Sequence, residues 1–255
     1  ILNFNGSLKG ELNSSKALSF SVFFNAKNAL IKDISNNIEL NKINLSGQFK
    51  NRSQEIKINQ FSALLENRKI GGSVVVSNFS SPKYTLNLNG DLDISKIPIF
   101  LNMKDLNFKG ESHFEVFTKL FTRENKIKFE KLSGKVDSKF LTIDYPSKNI
   151  HLVINDFILG FPNENIHLEF EKSTYNKDIF SLKLNWKNWD KVLFSESNKI
   201  DIYFESEFDN FRLDQLIETF SNESSSNSNY EYNFKGNLKA NNIFYNNLKF
   251  SNLIA

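Results

Sequence analysis

The stretch Phe180-Ser181-Leu182-Lys183-Leu184-Asn185-Trp186 changes from apolar to polar at every step. In an extended chain successive side chains point to opposite faces. A period of two therefore puts Phe180, Leu182, Leu184 and Trp186 on one side and Ser181, Lys183 and Asn185 on the other. Strands buried on both faces would read as continuous apolar runs instead, so one face of this strand is wet. The same period governs Asn37-Ile38-Glu39-Leu40, Glu55-Ile56-Lys57-Ile58, Tyr84-Thr85-Leu86-Asn87-Leu88-Asn89, Leu168-Glu169-Phe170 and Ile200-Asp201-Ile202-Tyr203-Phe204. Roughly sixteen to eighteen segments of this kind follow one another, separated by Asn, Ser, Gly, Asp or Lys clusters suited to turns. The fold class expected is all-β.

Helical patterns are few. Leu213, Leu216, Ile217 and Phe220 fall at i, i+3, i+4 and i+7, which predicts a helix over 209–220 with Asp209 or Asn210 as its N-cap. A shorter one is expected after Ser95, through Ile97, Pro98 and Leu101, where proline suits an early helical position. Ser221–Asn229 (SNESSSNSN) reads as a flexible polar loop.

Composition narrows the function classes. The 255 residues suffice for one large or two small domains. Phenylalanine occurs 26 times against two Trp, one Met and no Cys. With the Asn, Lys and Ile excess, that bias can follow from an AT-rich genome, so it carries no functional weight. The net charge of +3 is spread without a block of like charges, which leaves nucleic-acid binding without an electrostatic footprint. The lack of cysteine excludes a disulfide framework, a thiolate metal site and a cysteine nucleophile. The chain contains no run of about 18 apolar residues to cross a bilayer and no basic start followed by an apolar stretch. It begins on Ile1 and stops at Ala255 in mid-pattern, as a piece of something longer would.

Six of the ten glycines share a setting. Asn3–Leu8, Asn44–Phe49, Asn87–Leu92 and Asn233–Leu238 each carry Asn-apolar-x-Gly-x-apolar, centred on Gly6, Gly47, Gly90 and Gly236. Leu132–Val136 around Gly134 keeps the core of the pattern, and Asn107–Gly110 its first half. Their spacing lies near multiples of about twenty residues, the length of two strands and two turns. Each glycine shares the face of its apolar neighbours, where it permits a bend or the close approach of another chain. An ordinary bulge in a β-sandwich is the simpler alternative.

The run Ile43–Phe49, Ile56–Ala63 and Ile70–Val76, continuing through Asn78–Ile94, resembles the AsmA-like family: strand, Gly, strand, a short loop with Pro, strand, Gly, Leu-Asp-Ile. Phe208–Leu216, a polar gap, then Gly236–Ala240 and Leu248–Leu253 is similar to the family's C-terminal region. About 111–205 match only by strand rhythm. The resemblance implies a long, twisted, mostly antiparallel sheet curled like a taco around an open apolar groove, with one or two short helices. Residues 1–220 would form one groove segment ending in the helix, 221–229 the loop, and 230–255 the start of the next segment.

It also implies a periplasmic location, with attachment to the bacterial inner membrane by an N-terminal helix outside this chain. The implied function is carrying phospholipids between inner and outer membranes, in the biogenesis of the outer membrane and cell envelope. The expected partners are phospholipid acyl chains, with an outer-membrane protein as a further one, and no nucleic acid. The groove lining expected from the alternation is Ile38, Leu40, Ile56, Ile58, Val74, Val76, Leu86, Leu88, Leu168, Phe170, Leu182, Leu184, Ile200 and Ile202. Two alternatives stand beside this reading: a scaffold that pairs its sheet edges with client strands in outer-membrane protein assembly, and a β-sandwich adhesin or carbohydrate-binding module.

No enzymatic motif is found. His113, His151 and His167 are isolated in strand-like stretches, with no HExxH or paired ligand spacing, so no metal and no cofactor is expected. The pairs Asp91/Asp93 and Glu205/Glu207 fit the solvated side of a strand better than a hydrolytic carboxylate pair. Gly71-Gly72-Ser73 leads to no helix or Lys, as a phosphate loop would. Trp186 continues the apolar face of its strand, whereas Trp189 lies beyond it without an assignable role.

Overall fold

A computed structural model describes residues 2–9, 19–33, 38–96, 105–123, 126–162, 164–189, 191, 198–214, 231–246 and 248–254. The fold is all-β. Fourteen strands are described: β1 (Leu2–Lys9), β2 (Ser19–Asp33), β3 (Ile38–Lys50), β4 (Glu55–Leu65), β5 (Arg68–Ser77), β6 (Lys83–Asp93), β7 (Asn107–Arg123), β8 (Lys126–Tyr145), β9 (Ile150–Gly160), β10 (Asn165–Tyr175), β11 (Asp178–Lys187), β12 (Lys199–Arg212), β13 (Glu231–Tyr245) and β14 (Leu248–Ile254). They pair in chain order within one sheet. Each pairing with a described register is antiparallel except β12–β13, which is parallel. The chain divides into two compact units, Ile1–Leu92 with His113–Gly134 (unit 1) and Asp93–Ser112 with Lys135–Ala255 (unit 2).

Two hairpins turn on two residues with positive φ: Glu66-Asn67 (48° and 68°) between β4 and β5, and Asn176-Lys177 (47° and 81°) between β10 and β11. Left-handed dihedrals at both centres match the twist of the flanking strands, and Asn adopts them cheaply. Lys177 does not. Lys177→Gly is expected to stabilise unit 2 by about 0.5–1 kcal/mol, read as a higher urea midpoint.

The long strands hold several bulges. Asn28 and Lys42 in unit 1, and Asp156 and Lys172 in unit 2, have φ between 48° and 53° inside strands. At these places, and at Ile58–Phe61, the pairing register slips. The local sequences share a form: Ala26-Lys27-Asn28-Ala29, Leu40-Asn41-Lys42-Ile43, Ile58-Asn59-Gln60-Phe61, Ile154-Asn155-Asp156-Phe157 and Phe170-Glu171-Lys172-Ser173. One extra polar residue is looped out, and the next inward residue returns to the same face.

Several of the repeated glycines are sites of close approach. A Cβ on Gly47 would lie 2.5 Å from the Phe24 ring, and one on Gly236 would strike the Phe204 carbonyl oxygen. In both cases an aromatic ring from the neighbouring strand covers the bare backbone. Gly90 adds a conformational reason, since its φ of +155° is one that side-chain-bearing residues rarely adopt.

One local expectation is corrected, and another lies largely outside the described residues. Asp209 and Asn210 do not cap a helix: they belong to β12, which runs to Arg212 and is held by its pairing with β13. Helical geometry begins only at Leu213, and 215–230, including the predicted polar loop, lie outside the described residues. Near Ser95 there is a single 3-10 turn, Ile94–Lys96, in which the Ser95 N–H donates to Asp93 Oδ1 at 3.0 Å. Residues 97–104 lie outside the described set.

Candidate apolar binding face

Register and alternation assemble one apolar face in each unit. In unit 1 the cross-strand rows are Val22–Phe49–Ile56–Val76–Tyr84, Phe24–Gly47–Ile58–Val74–Leu86 and Ala26–Leu45–Phe61–Gly72–Leu88. Of the expected lining, Ile56, Ile58, Val74, Val76, Leu86 and Leu88 therefore lie side by side. Leu40 pairs with Leu65 on the same face, and Ile38 pairs with Asp33 at the start of β3, with its side chain outside the described set. Phe61 belongs to the face as well. Alternation alone loses it, because the bulge after Ile58 shifts the phase by one residue.

The unit 1 face is largely half-exposed. Ala26, Ile43 and Ala63 are buried near one end, and Phe20, Phe49 and Phe79 cluster near the other with ring centroids 5.5 and 5.9 Å apart. Between them the branched side chains of β4, β5 and β6 keep part of their surface in water. That is the state of a sheet face whose residues touch laterally and lack a complete cover.

In unit 2 the rows are Ile166–Trp186–Ile202–Phe234, Leu168–Leu184–Phe204–Gly236, Phe170–Leu182–Ser206–Leu238 and Ser173–Phe180–Phe208–Ala240. The expected residues Leu168, Phe170, Leu182, Leu184 and Ile202 are brought together here, and Ile200 follows on β12. The face is graded. Around Phe180 it is closed: Ile94, Leu141, Ile154, Phe170 and Phe180 form a buried cluster, with Phe180 edge-on to Phe170 at 5.2 Å and stacked on Phe208 at 5.3 Å. Ile200 is buried too. Towards the far end of β11 the face opens, and Phe234 is 61% exposed. Trp189 is buried and meets Phe161 edge-on at 6.2 Å, which makes it an anchor for the chain leaving β11.

The opposite faces are polar. Glu169 accepts from Lys183 at 2.7 Å and lies 3.1 Å from His167 Nε2; Lys183 first, then His167, holds its carboxyl below the usual range. His113 Nδ1 lies 2.9 Å from Asp91, and His151 is close to Asp144. Lys239–Glu207 (2.9 Å), Asn233–Asp201 (2.8 Å) and Asn241–Asp209 (3.2 Å) bridge the parallel pair. Shallow hollows of about 530 Å³ beside Gly71, Asn89 and His113, and about 770 Å³ beside Lys183, Glu207 and Lys239, lie on these wet faces. Among the described residues no three His, Cys, Asp or Glu gather as a metal site requires, and no helix is long and apolar enough to cross a membrane.

By fold the chain is an all-β protein built on one mostly antiparallel, amphipathic sheet. No family model matches it, and neither a curated protein nor a solved structure does.

Proposed function

We propose that the chain is a periplasmic segment of an AsmA-like protein whose apolar sheet face carries phospholipid acyl chains between the inner and outer membranes. The observation behind this reading is the set of unbroken apolar rows across neighbouring strands, half-exposed where an ordinary core would be sealed. Each methylene laid on such a face keeps about 0.8 kcal/mol of apolar surface out of water, so a 16-carbon chain retains on the order of 10 kcal/mol. Headgroups stay in water beside the apolar face. The rows offer few polar contacts to hold one position, so a chain slides along them. An N-terminal helix outside this chain supplies the anchor, and no catalytic role is assigned.

Protein purified from a phospholipid-containing envelope, washed free of detergent and extracted, is expected to yield diacyl phospholipid by mass spectrometry at near-stoichiometric amounts. Lipid-free protein that also fails to take up an apolar fluorescent probe sinks the reading. A second reading is a scaffold whose sheet edge accepts a client strand by main-chain pairing. Crosslinking of β14 to outer-membrane protein segments, with no lipid found, selects that scaffold role.

A further inference from the structure

Two strands carry nearly the same sequence: Asn3-Phe4-Asn5-Gly6-Ser7-Leu8-Lys9 in β1 and Asn233-Phe234-Lys235-Gly236-Asn237-Leu238-Lys239 in β13. They share Asn, Phe, Gly, Leu and Lys at matching positions, and each is followed in the sheet by an antiparallel partner, β2 or β14. They differ on the other edge. There β13 is held in parallel by β12, whereas among the described residues β1 pairs with β2 alone.

The β12–β13 pairing gives the shared residues a use. Asn233 Nδ2 donates to Asp201 at 2.8 Å, Lys239 Nζ donates to Glu207 at 2.9 Å, and Phe204 lies across from Gly236. In β3, Asn44, Gly47 and Lys50 repeat the spacing: Phe24 of the preceding strand lies across from Gly47, and Ile58 of the following strand flanks its other side. Gly6 has a following neighbour of the same kind, Val22, but no aromatic one from a preceding strand among the described residues. The outer edge of β1 is that of a β13 without its β12.

An open edge presents a row of main-chain donors and acceptors that an extended segment can take up. We propose that this edge docks a strand of the β12 type, an extended segment reading Asp-x-x-Phe-x-x-Glu, in parallel orientation. Its aromatic residue falls across from Gly6, its Asp across from Asn3 and its Glu across from Lys9. The main chain supplies the pairing, the bare glycine admits the aromatic residue closely, and the two acidic residues set direction and register. A folded second copy cannot donate the strand, because its own β12 is already paired with β11 and β13. The inference rests on the scaffold reading above, to which it adds an edge, a direction and a class of partner, and it needs no lipid.

The chain has no cysteine, so single cysteines report position. Protein with Ser7→Cys is mixed under mild oxidation with a synthetic peptide of residues 199–212 carrying either Glu205→Cys or Tyr203→Cys. With Phe204 across from Gly6, parallel pairing sets position 205 opposite Ser7, and antiparallel pairing sets position 203 there. The Glu205→Cys peptide is expected to be trapped in preference. Without oxidant, a fluorescent peptide of the natural sequence is expected to bind Lys9→Glu protein about three- to tenfold more weakly than the parent. A Glu207→Lys peptide is expected to regain that loss on the Lys9→Glu protein.

Preferential trapping of the Tyr203→Cys peptide, equal trapping of a scrambled peptide with the same cysteine, or no recovery on the charge swap overturns the assignment. Equal trapping by Ser251→Cys on β14 also overturns it, while leaving the scaffold reading in place. No trapping at either edge removes both.

Discussion

Leu184→Glu is expected to lower the phospholipid recovered with the protein at least about tenfold while shifting the melting temperature by only a few degrees. Leu184 lies between Leu168 and Phe204 in the middle of the unit 2 rows and is half-buried. A carboxylate there can swing towards water, so the fold gives up some apolar contact and little else. An acyl chain crossing the same spot must strip that carboxylate of water with no cation opposite, and the penalty falls on the cargo. Leu86→Glu, next to Val74 on unit 1, makes the same prediction for the other face. Lipid extraction and a thermal melt on the same samples decide the matter. Unfolding of both variants would mean that the faces are sealed cores, and an unchanged lipid yield would mean that lipid lies elsewhere.

Phe180→Ala, by contrast, strikes the closed part of the same sheet and is expected to cost about 3–5 kcal/mol. Its ring is 9% exposed and touches Phe170 and Phe208 in defined geometries, and Leu182 and Tyr175 pack against the same cluster. The vacated volume cannot refill, because the neighbouring positions are fixed by the strand ladder. Set against typical total stabilities of about 5–15 kcal/mol, such a loss leaves unit 2 marginal. Both tryptophans belong to unit 2, so a urea titration followed by their fluorescence reads this unit directly. A midpoint equal to that of the parent would contradict the packed cluster.

Much of the fold was legible along the chain. Tyr84–Asn89 and Phe180–Trp186 announce half-wet strands by alternation, and both form strands with the expected residues on a common face. The glycine motif was legible as a place of close approach, although the Phe24 ring and the Phe204 carbonyl that make the approach were not. The full length of the described strands was harder to read. A bulge such as Ile154-Asn155-Asp156-Phe157 breaks the alternation without ending the strand, so one long strand reads as two short ones. The pattern apolar–polar–polar–apolar within a strand-like stretch is the local signal that would have joined them.

The helix expected from Asp209 failed at its start for a different reason. Leu213, Leu216, Ile217 and Phe220 have helical spacing, but nothing local reveals that Asn210, Phe211 and Arg212 are the last three of the thirteen positions at which β12 pairs with β13. Strand pairing is a long-range term, and here it outweighs a favourable cap. The same holds for Trp189, whose partner Phe161 lies 28 residues back in the sequence.

Taken alone, the sequence determined that this protein is all-β, that its strands are amphipathic, and which residues share a side between one bulge and the next. These follow from a two-residue period and from turn chemistry, which act between neighbours in the chain. Only the tertiary structure decided the parallel pairing of β12 with β13, and that the face is sealed at Phe180 yet open at Phe234. Burial and pairing depend on which strand lies alongside and what covers it, and those neighbours are dozens of residues away.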